Sequence, residues 1–543
     1  MSARINKVKE AGSKMRDEAH LNWMAGLSYD INDPFNRLHL IAASSFFGEP
    51  QYYNEGDKGL KKLDANSHSR QCQLSNEEIN YLRDILNALD PREWRSMSPK
   101  QIIEKTIDDC LSVDIEKTLQ VAVKLRNEDN IRVTPQVIMV RAAMCDHIKG
   151  TGLIGRYASE IIKRGDEPAT QMAYFFSEYG DKGKRGVIPI PSRLRKAWKN
   201  ALEKLDEYRL AKYRMESRAV KTIDVVRLVH ANSEPINKLV NNELVLTDKT
   251  WEAIISKEGS NKASWEKALE VMPHMALLRN IRNLLENKID PHLFMDKLVS
   301  GVATGKQLPF RYYSAYKAVG DGNAYVLDKL EECLELSFVN LPHFNGRVMS
   351  LSDNSGSAWG AVTSEYGTMT VAEIGNLTSV ITAKASDEGY VGVFGDRLDI
   401  KSIRQKSSIF DELGLVNQMG KNIGSSTETG IWLFWDKAIK NKEHWDHVFI
   451  YSDMQAGHGG LYTNSGSHSP VGFVWNNRST FVDVPKLIAT YRAQVNPNVQ
   501  VFLVQTAGYQ DTLLPEYYSK TYILGGWSGN ILNFAGKMAG IVK

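Results

Sequence analysis

Two patterns of apolar spacing divide this chain near residue 342. Before that point apolar residues recur every three or four positions, as one face of a helix requires. Ile79, Leu82, Ile85, Leu86 and Leu89 form one such stripe. Ile115, Leu119 and Val123 form another, and Val137, Val140, Ala143 and Met144 a third. Asn76-Glu77 and Thr134-Pro135 have the chemistry of helix starts. Asp90-Pro91, Ser98-Pro99, Glu234-Pro235, Met272-Pro273 and Asp290-Pro291 break the pattern into short pieces. Many short helices with few strand signals predict a helical-repeat array of stacked pairs over residues 20–342. No exact sequence repeat accompanies it.

After Leu341-Pro342-His343-Phe344-Asn345 the period changes. Strand-length apolar runs occur at Val348–Leu351, Tyr390–Phe394, Val448–Tyr451, Val499–Gln505 and Thr521–Leu524. Helical patterns separate them at Ala372–Ala383, Ile409–Met419, Trp432–Ile439, Lys486–Gln494 and Ile531–Met538. Alternation of this kind predicts a doubly wound α/β domain over residues 346–543, with a mainly parallel sheet covered on both faces. The chain is thus multidomain, α followed by α/β.

Composition narrows the class without naming a function. The 42% hydrophobic and 24% charged content is that of a soluble globular protein. No stretch approaches the roughly 18 consecutive apolar residues of a membrane span. The start, Met1-Ser2-Ala3-Arg4-Ile5-Asn6-Lys7, is polar and lacks an apolar signal core, so export is not expected. Cys72, Cys110, Cys145 and Cys333 are scattered, with no Cys-x-x-Cys pair. That spacing argues against a zinc framework or a disulfide scaffold and for a reducing, cytoplasmic setting.

The densest chemistry lies where the first apolar run of the second region ends, at Asp353-Asn354-Ser355-Gly356-Ser357. A strand–turn–helix bearing Asp-x-Ser-x-Ser directs Asp353, Ser355 and Ser357 toward one point. One carboxylate and two hydroxyls are hard oxygen ligands, suited to Mg²⁺ or Mn²⁺ rather than zinc. Two later segments complete the set. The loop Gly424-Ser425-Ser426-Thr427-Glu428-Thr429 supplies Thr427, and the run His447–Tyr451 leads into Ser452-Asp453. Ligands gather at the carboxyl ends of strands in open α/β sheets, where Asp353, Thr427 and Asp453 would meet. The plainer alternative is a strand-end turn capped by Asx and serine hydrogen bonds. Within the Gly-, Ser- and His-rich loop 457–472, His458 and His468 read as solvated residues rather than ligands.

The net charge is only +3, yet residues 181–221 carry 13 basic and 5 acidic side chains, an excess that suits a polyanion. Lys182, Lys184 and Arg185 lie in a Gly-rich turn after the aromatic stretch Tyr174-Phe175-Phe176-Ser177-Glu178-Tyr179. Ser192 can cap a helix that carries Arg193, Lys196 and Lys199 on one side. Lys212, Arg214, Arg218 and Lys221 form a second cluster. Two basic faces joined by a short connection offer a ridge for phosphates. The competing reading is a solvated surface whose Arg and Lys stems cover apolar neighbours.

Both regions resemble known families. Asp-x-Ser-x-Ser, Thr and Asp in this order is similar to the metal-ion-dependent adhesion site of von Willebrand factor A domains. The aromatic stretch, Arg193-Leu194-Arg195-Lys196-Ala197, Lys212-Tyr213-Arg214, Asp224-Val225-Val226-Arg227-Leu228 and His230 resemble the TROVE module of the Ro ribonucleoprotein family. Asn36-Arg37-Leu38, with Phe47-Gly48 through Tyr52-Tyr53, resembles the opening of that module. The two modules in this order form the Ro architecture. The resemblance implies a HEAT-like ring of helices closed by the α/β domain, in a monomer. It implies that the ring hole takes single-stranded 3′ ends of structured or misfolded noncoding RNAs. It further implies small Y-like RNAs on the outer face, work alongside the exoribonuclease polynucleotide phosphorylase, no membrane partner and no catalysis. Arg193, Lys196, Lys212 and Arg214 fall on the family pattern. One departure stands out: many relatives carry His-Lys-Asp where this chain has Lys221-Thr222-Ile223-Asp224, and that His is tied to Y RNA binding.

Enzyme motifs are missing. Gly305-Lys306 lacks the glycine spacing of a phosphate loop, Gly356-x-x-x-Gly360 puts no serine at a nucleophile elbow, and no His-Glu-x-x-His occurs. The leading expectation is a non-catalytic RNA-binding protein of noncoding RNA quality control. The alternative is a protein-interaction scaffold whose metal grips an acidic partner, and a metal-dependent hydrolase is a third reading.

Overall fold

The structure is a computed structural model. It describes residues 20–21, 27–44, 99–129, 131–180, 189–215, 218–244, 250–305, 307, 309–338, 341–360, 369–395, 397–424, 428–452, 454, 473–475, 479–481, 484–506, 513–514, 518–525 and isolated positions from 531 to 540. The chain divides into two compact units. Residues 103–337 make one, and residues 338–543 make the other together with the N-terminal segment that includes helix Pro34–Ser44. That helix packs along strand Thr521–Gly525.

The first unit is helical throughout its described residues. Helices Ile115–Asn127, Val133–Met144 and Leu153–Ile161 pack on one another. Further along, Trp251–Glu258 packs on Lys262–Val271, and His274–Glu286 and Ala324–Leu336 both pack on Pro309–Val319. The prolines do what their missing N–H dictates. Pro291 opens a helix capped by Asp290, whose carboxylate accepts from the His292 N–H at 3.0 Å, and Pro273 separates two helices. The expected stripe at Ile79–Leu89 lies outside the described residues.

The second unit holds a six-stranded mixed sheet. Its order is 521–525, 500–505, 447–452, 344–353, 386–394 and 398–402. All neighbours run parallel except 398–402, which is antiparallel to 386–394. The central strand, Phe344–Asp353, is buried from Val348 to Asp353, so it reads as a continuous run rather than an alternation. One face packs Met349, Leu351, Val448, Ile450 and Leu503 against Trp435, Leu487 and Tyr491. On the other, Phe449 stacks on Phe502 at 4.4 Å and Tyr451 shares a hydrogen bond with Thr382 at 2.7 Å. Small side chains let helix Val371–Lys384 approach that face closely: a Cβ on Gly375 would stand 3.0 Å from Ser352 Oγ. The five expected strands are all present, and helices 371–384, 409–421, 428–440 and 484–494 fall on the expected stretches. Half of 531–538 lies outside the described residues.

Candidate metal centre and nucleic-acid interface

The strand order places a switch point between 344–353 and 447–452. From the central strand the chain moves one way to 386–394 and 398–402, then returns to build the other side from 447–452. Crevices open at the carboxyl ends of such strands. Asp353 ends one of the pair and Ser452 ends the other. The Asp353 carboxylate is buried; it accepts from the Ser355 N–H at 2.9 Å and from the Ser452 hydroxyl at 2.7 Å. Ser452 Oγ in turn accepts from the Met454 N–H at 3.1 Å.

Helix Gly356–Gly360 begins right after Ser355, as a strand–turn–helix requires. Ser357 lies in its first turn. Thr427 and Asp453 fall outside the described residues, as do His458 and His468. Of the expected ligands, the structure therefore places Asp353 and Ser355 on one turn, joined through the Ser355 N–H. Their donors are oxygen only, and among the described residues no group of three or more His, Cys, Asp and Glu converges, here or elsewhere. An oxygen-only set with a buried carboxylate fits a hard divalent ion and not zinc.

Reading for ligands alone missed what holds this turn. Asn354, Asn376 and Asn417 are buried amides from three elements. Asn354 and Asn376 exchange side-chain hydrogen bonds at 2.8 and 2.9 Å, and Asn376 also donates to Asn417 at 2.9 Å. No spacing rule links residues 354, 376 and 417, so only the fold reveals the set.

The basic helix of the first unit spans Ser192–Leu202. Its cap is Pro191 rather than the expected Ser192; proline's fixed φ of −54° with ψ of 137° ends the extended approach there, and Ser192 becomes the first helical residue. A buried polar chain fixes the helix. The Trp198 indole donates to Gln171 at 2.6 Å, Gln171 to Gln136 at 2.7 Å, and Gln136 to the Ile161 carbonyl at 3.1 Å. Leu194, Ala197, Trp198 and Leu202 face inward, which leaves Lys196 in solvent.

The basic residues divide by environment. Arg193 is half-buried and donates to the Ala143 carbonyl at 2.7 Å, satisfying an orphan acceptor at the end of helix 133–144. Lys199 pairs with Glu203 at 3.8 Å. Lys212 donates to the Tyr208 hydroxyl at 3.2 Å and lies 3.9 Å from Glu252. Arg214 is half-buried. Lys196, Arg218 and Lys221 are exposed and make no ion pair among the described residues. Lys182, Lys184 and Arg185 lie outside the described residues.

Arg279 and Arg311 went unnoticed in the sequence because 32 positions separate them. They lie on the packed helices 274–286 and 309–319 and form no ion pair among the described residues. Arg311 stays exposed, yet partial desolvation of its guanidinium by packed neighbours lowers its pKa, and the like charge of Arg279 lowers it further. Such a pair favours an incoming anion.

Residues 244–337 match the family model described as TROVE domain. The fold also matches the crystal structure of the Deinococcus radiodurans Ro (RSR) protein, with a TM-score of 0.54 at 14% identity. That match covers 80% of this chain and 93% of the other. Residues 244–337 are thus similar to a TROVE domain, and the chain has the fold of that bacterial Ro protein. The match accounts for a helical unit followed by a von Willebrand factor A-like α/β unit. No curated protein matches the sequence. Among the described residues no helix is long and apolar enough to cross a membrane.

Proposed function

We propose that this TROVE protein is a non-catalytic RNA-binding protein that takes structured or misfolded noncoding RNAs by their single-stranded 3′ ends. The observation that carries the reading is the TROVE match at 244–337 together with the exposed cations Lys196, Arg218 and Lys221 upstream of it, which make no ion pair among the described residues. Arg279 and Arg311, inside the matched segment, extend the surface available to phosphates. Contact of this kind is dominated by phosphates, and bases are read only in the unpaired tail. A Y-like RNA and an exoribonuclease such as polynucleotide phosphorylase, in the cytoplasm, are the partners this reading favours. The test is filter binding of a structured, 3′-tailed RNA at low salt: saturable binding is expected, and none would overturn the proposal.

In the α/β unit, Asp353, Ser355, Ser357, Thr427 and Asp453 would hold Mg²⁺ or Mn²⁺. The ion would supply an open coordination position for a partner's carboxylate. Asp353→Ala should abolish Mn²⁺ uptake in calorimetry and leave RNA affinity unchanged; Mn²⁺ uptake that survives the substitution would place the ion elsewhere.

A further inference from the structure

His274 opens helix 274–286 inside the segment that matches the TROVE model, and its ring is wedged between neighbouring helices. Nε2 shares a hydrogen bond of 2.9 Å with the hydroxyl of Tyr312, a fully buried residue of helix 309–319. The rest of the ring lies against two glycines one turn apart. Gly301 ends helix Pro291–Ser300, and Gly305 ends the short helix Val302–Gly305. A Cβ on Gly301 would stand 2.6 Å from Nδ1, and one on Gly305 would stand 2.2 Å from Cδ2. The imidazole thus occupies the space that side chains at 301 and 305 would need.

This packing leaves Nδ1 buried with no hydrogen-bond partner among the described residues. The neutral ring tolerates that: its single proton stays on Nε2, toward Tyr312, and Nδ1 keeps a bare lone pair. The imidazolium must carry an N–H on Nδ1 as well, and a buried donor without an acceptor is destabilising. Position adds to the cost, because His274 is the first residue of its helix, where the positive end of the dipole opposes a cation. The surrounding elements offer no compensating charge. Helix Val302–Gly305 has no titratable side chain. On helix Pro291–Ser300, Lys297 donates to the Glu270 carbonyl at 3.3 Å, His292 packs on the Tyr325 ring at 4.1 Å, and Asp296 lies 3.8 Å from Lys329. Helix 309–319 contributes Tyr312, whose pKa burial raises, and the cations Arg311 and Lys317. On the histidine's own helix Arg279 is a further cation, and Arg282 pairs with Glu286 at 3.4 Å. Burial accordingly lowers the His274 pKa from 6.5, with no charge among the described residues opposing it.

We propose that His274 is a proton-operated latch: the neutral ring pins the first turn of helix 274–286 to the two-glycine cradle and to helix 309–319, and the protonated ring leaves it. The helices so joined carry Arg279 and Arg311, so acid loosens this part of the phosphate-binding surface and weakens RNA binding. That consequence rests on the RNA reading above. The sign follows from linkage. Released, His274 has the ordinary pKa of 6.5 and takes up a proton before the docked ring does. Opening is therefore favoured as pH falls below that value, by about tenfold one pH unit lower while the docked ring stays neutral. The same factor of about tenfold is the ceiling on the loss of RNA affinity, reached when the open form predominates.

The experiment is hydrogen exchange of the full chain at pH 7.5 and 5.5, corrected for the intrinsic pH dependence of exchange and read on helices 274–286 and 309–319. Filter binding of a 3′-tailed RNA accompanies it at both pH values. His274→Gln keeps a donor toward Tyr312 and does not titrate. Gly305→Ala fills the cradle and should leave the latch open at both pH values. Corrected exchange in the wild-type helices should rise about tenfold on acidification, that of His274→Gln should not, and the wild-type protein should lose more RNA affinity than His274→Gln does. Unchanged wild-type protection at pH 5.5 would overturn the latch whatever the variants do. An equal rise in His274→Gln would overturn it too, by assigning the change to another group. Equal pH dependence of RNA affinity in the two proteins, with the exchange response present, would overturn the control of RNA binding and leave the RNA reading standing. No RNA binding at either pH would overturn the RNA reading, and the exchange data would still decide the latch.

Discussion

Replacing Lys196, Arg218 and Lys221 together by alanine separates phosphate contact from folding. The three side chains are exposed and carry no ion pair among the described residues, so their removal leaves no partner buried and unpaired. For single-stranded nucleic acid each neutralised phosphate contributes about 0.7 to the slope of log affinity against log salt. Three contacts therefore contribute about 2 to that slope. Over one decade of salt this amounts to a roughly 100-fold loss of affinity near 0.1 M, about 2.9 kcal/mol, for an unchanged non-electrostatic part. Arg193→Ala is the contrasting case. It removes the donor to the Ala143 carbonyl, so it should cost about 1–2 kcal/mol of stability in addition to any lost phosphate contact. The assay is a salt series of filter binding on a 3′-tailed RNA, with thermal melts of the same proteins. A triple variant with the wild-type slope, or one whose weaker binding is explained by a lower Tm, would refute the reasoning.

Two further outcomes follow from buried ionisable groups in the α/β unit. Glu412 is fully buried; burial pushes its pKa up, but hydrogen bonds from Lys401, Ser407 and Arg404 outweigh that and hold it at about 2 against an ordinary 4.5. Its stabilisation is therefore complete above pH 4.5 and lost as pH falls toward 2; Glu412→Gln should flatten that window and cost about 1–3 kcal/mol at neutral pH in urea unfolding, and an unaltered acid limb would contradict it. His447 packs against Phe344 at 5.4 Å, and burial lowers its pKa from 6.5, so stability should decline as pH drops below 6.5 because the unfolded chain takes up the proton first. His447→Phe should remove that slope, and identical pH dependence in the two proteins would count against the assignment.

How much of this was legible depended on whether the signal was local. The buried parallel strands announce themselves as continuous runs such as Val448-Phe449-Ile450-Tyr451, and each lies where expected. The strand Leu398–Ser402 was not foreseen: it is an antiparallel edge, its residues are only half-buried or exposed, and Asp399 and Lys401 interrupt any apolar run. The strand-end turn at Asp353 was legible because a buried apolar run ends there in small polar residues, Asp353, Ser355 and Ser357, two apart on one loop. Its support was not, because Asn354, Asn376 and Asn417 belong to three elements that meet only in the folded sheet. Charge counting found the basic stretch at 181–221 but could not tell Arg193, engaged on a helix end, from Lys196, left in water. Nor could it pair Arg279 with Arg311 across 32 positions of sequence.

The most direct test of the RNA reading compares one structured RNA bearing a single-stranded 3′ tail with the same RNA blunted, by filter binding across a salt series. The account predicts tight binding that needs the tail and weakens steeply with salt. Equal binding of the two RNAs, or no binding at low salt, would contradict it.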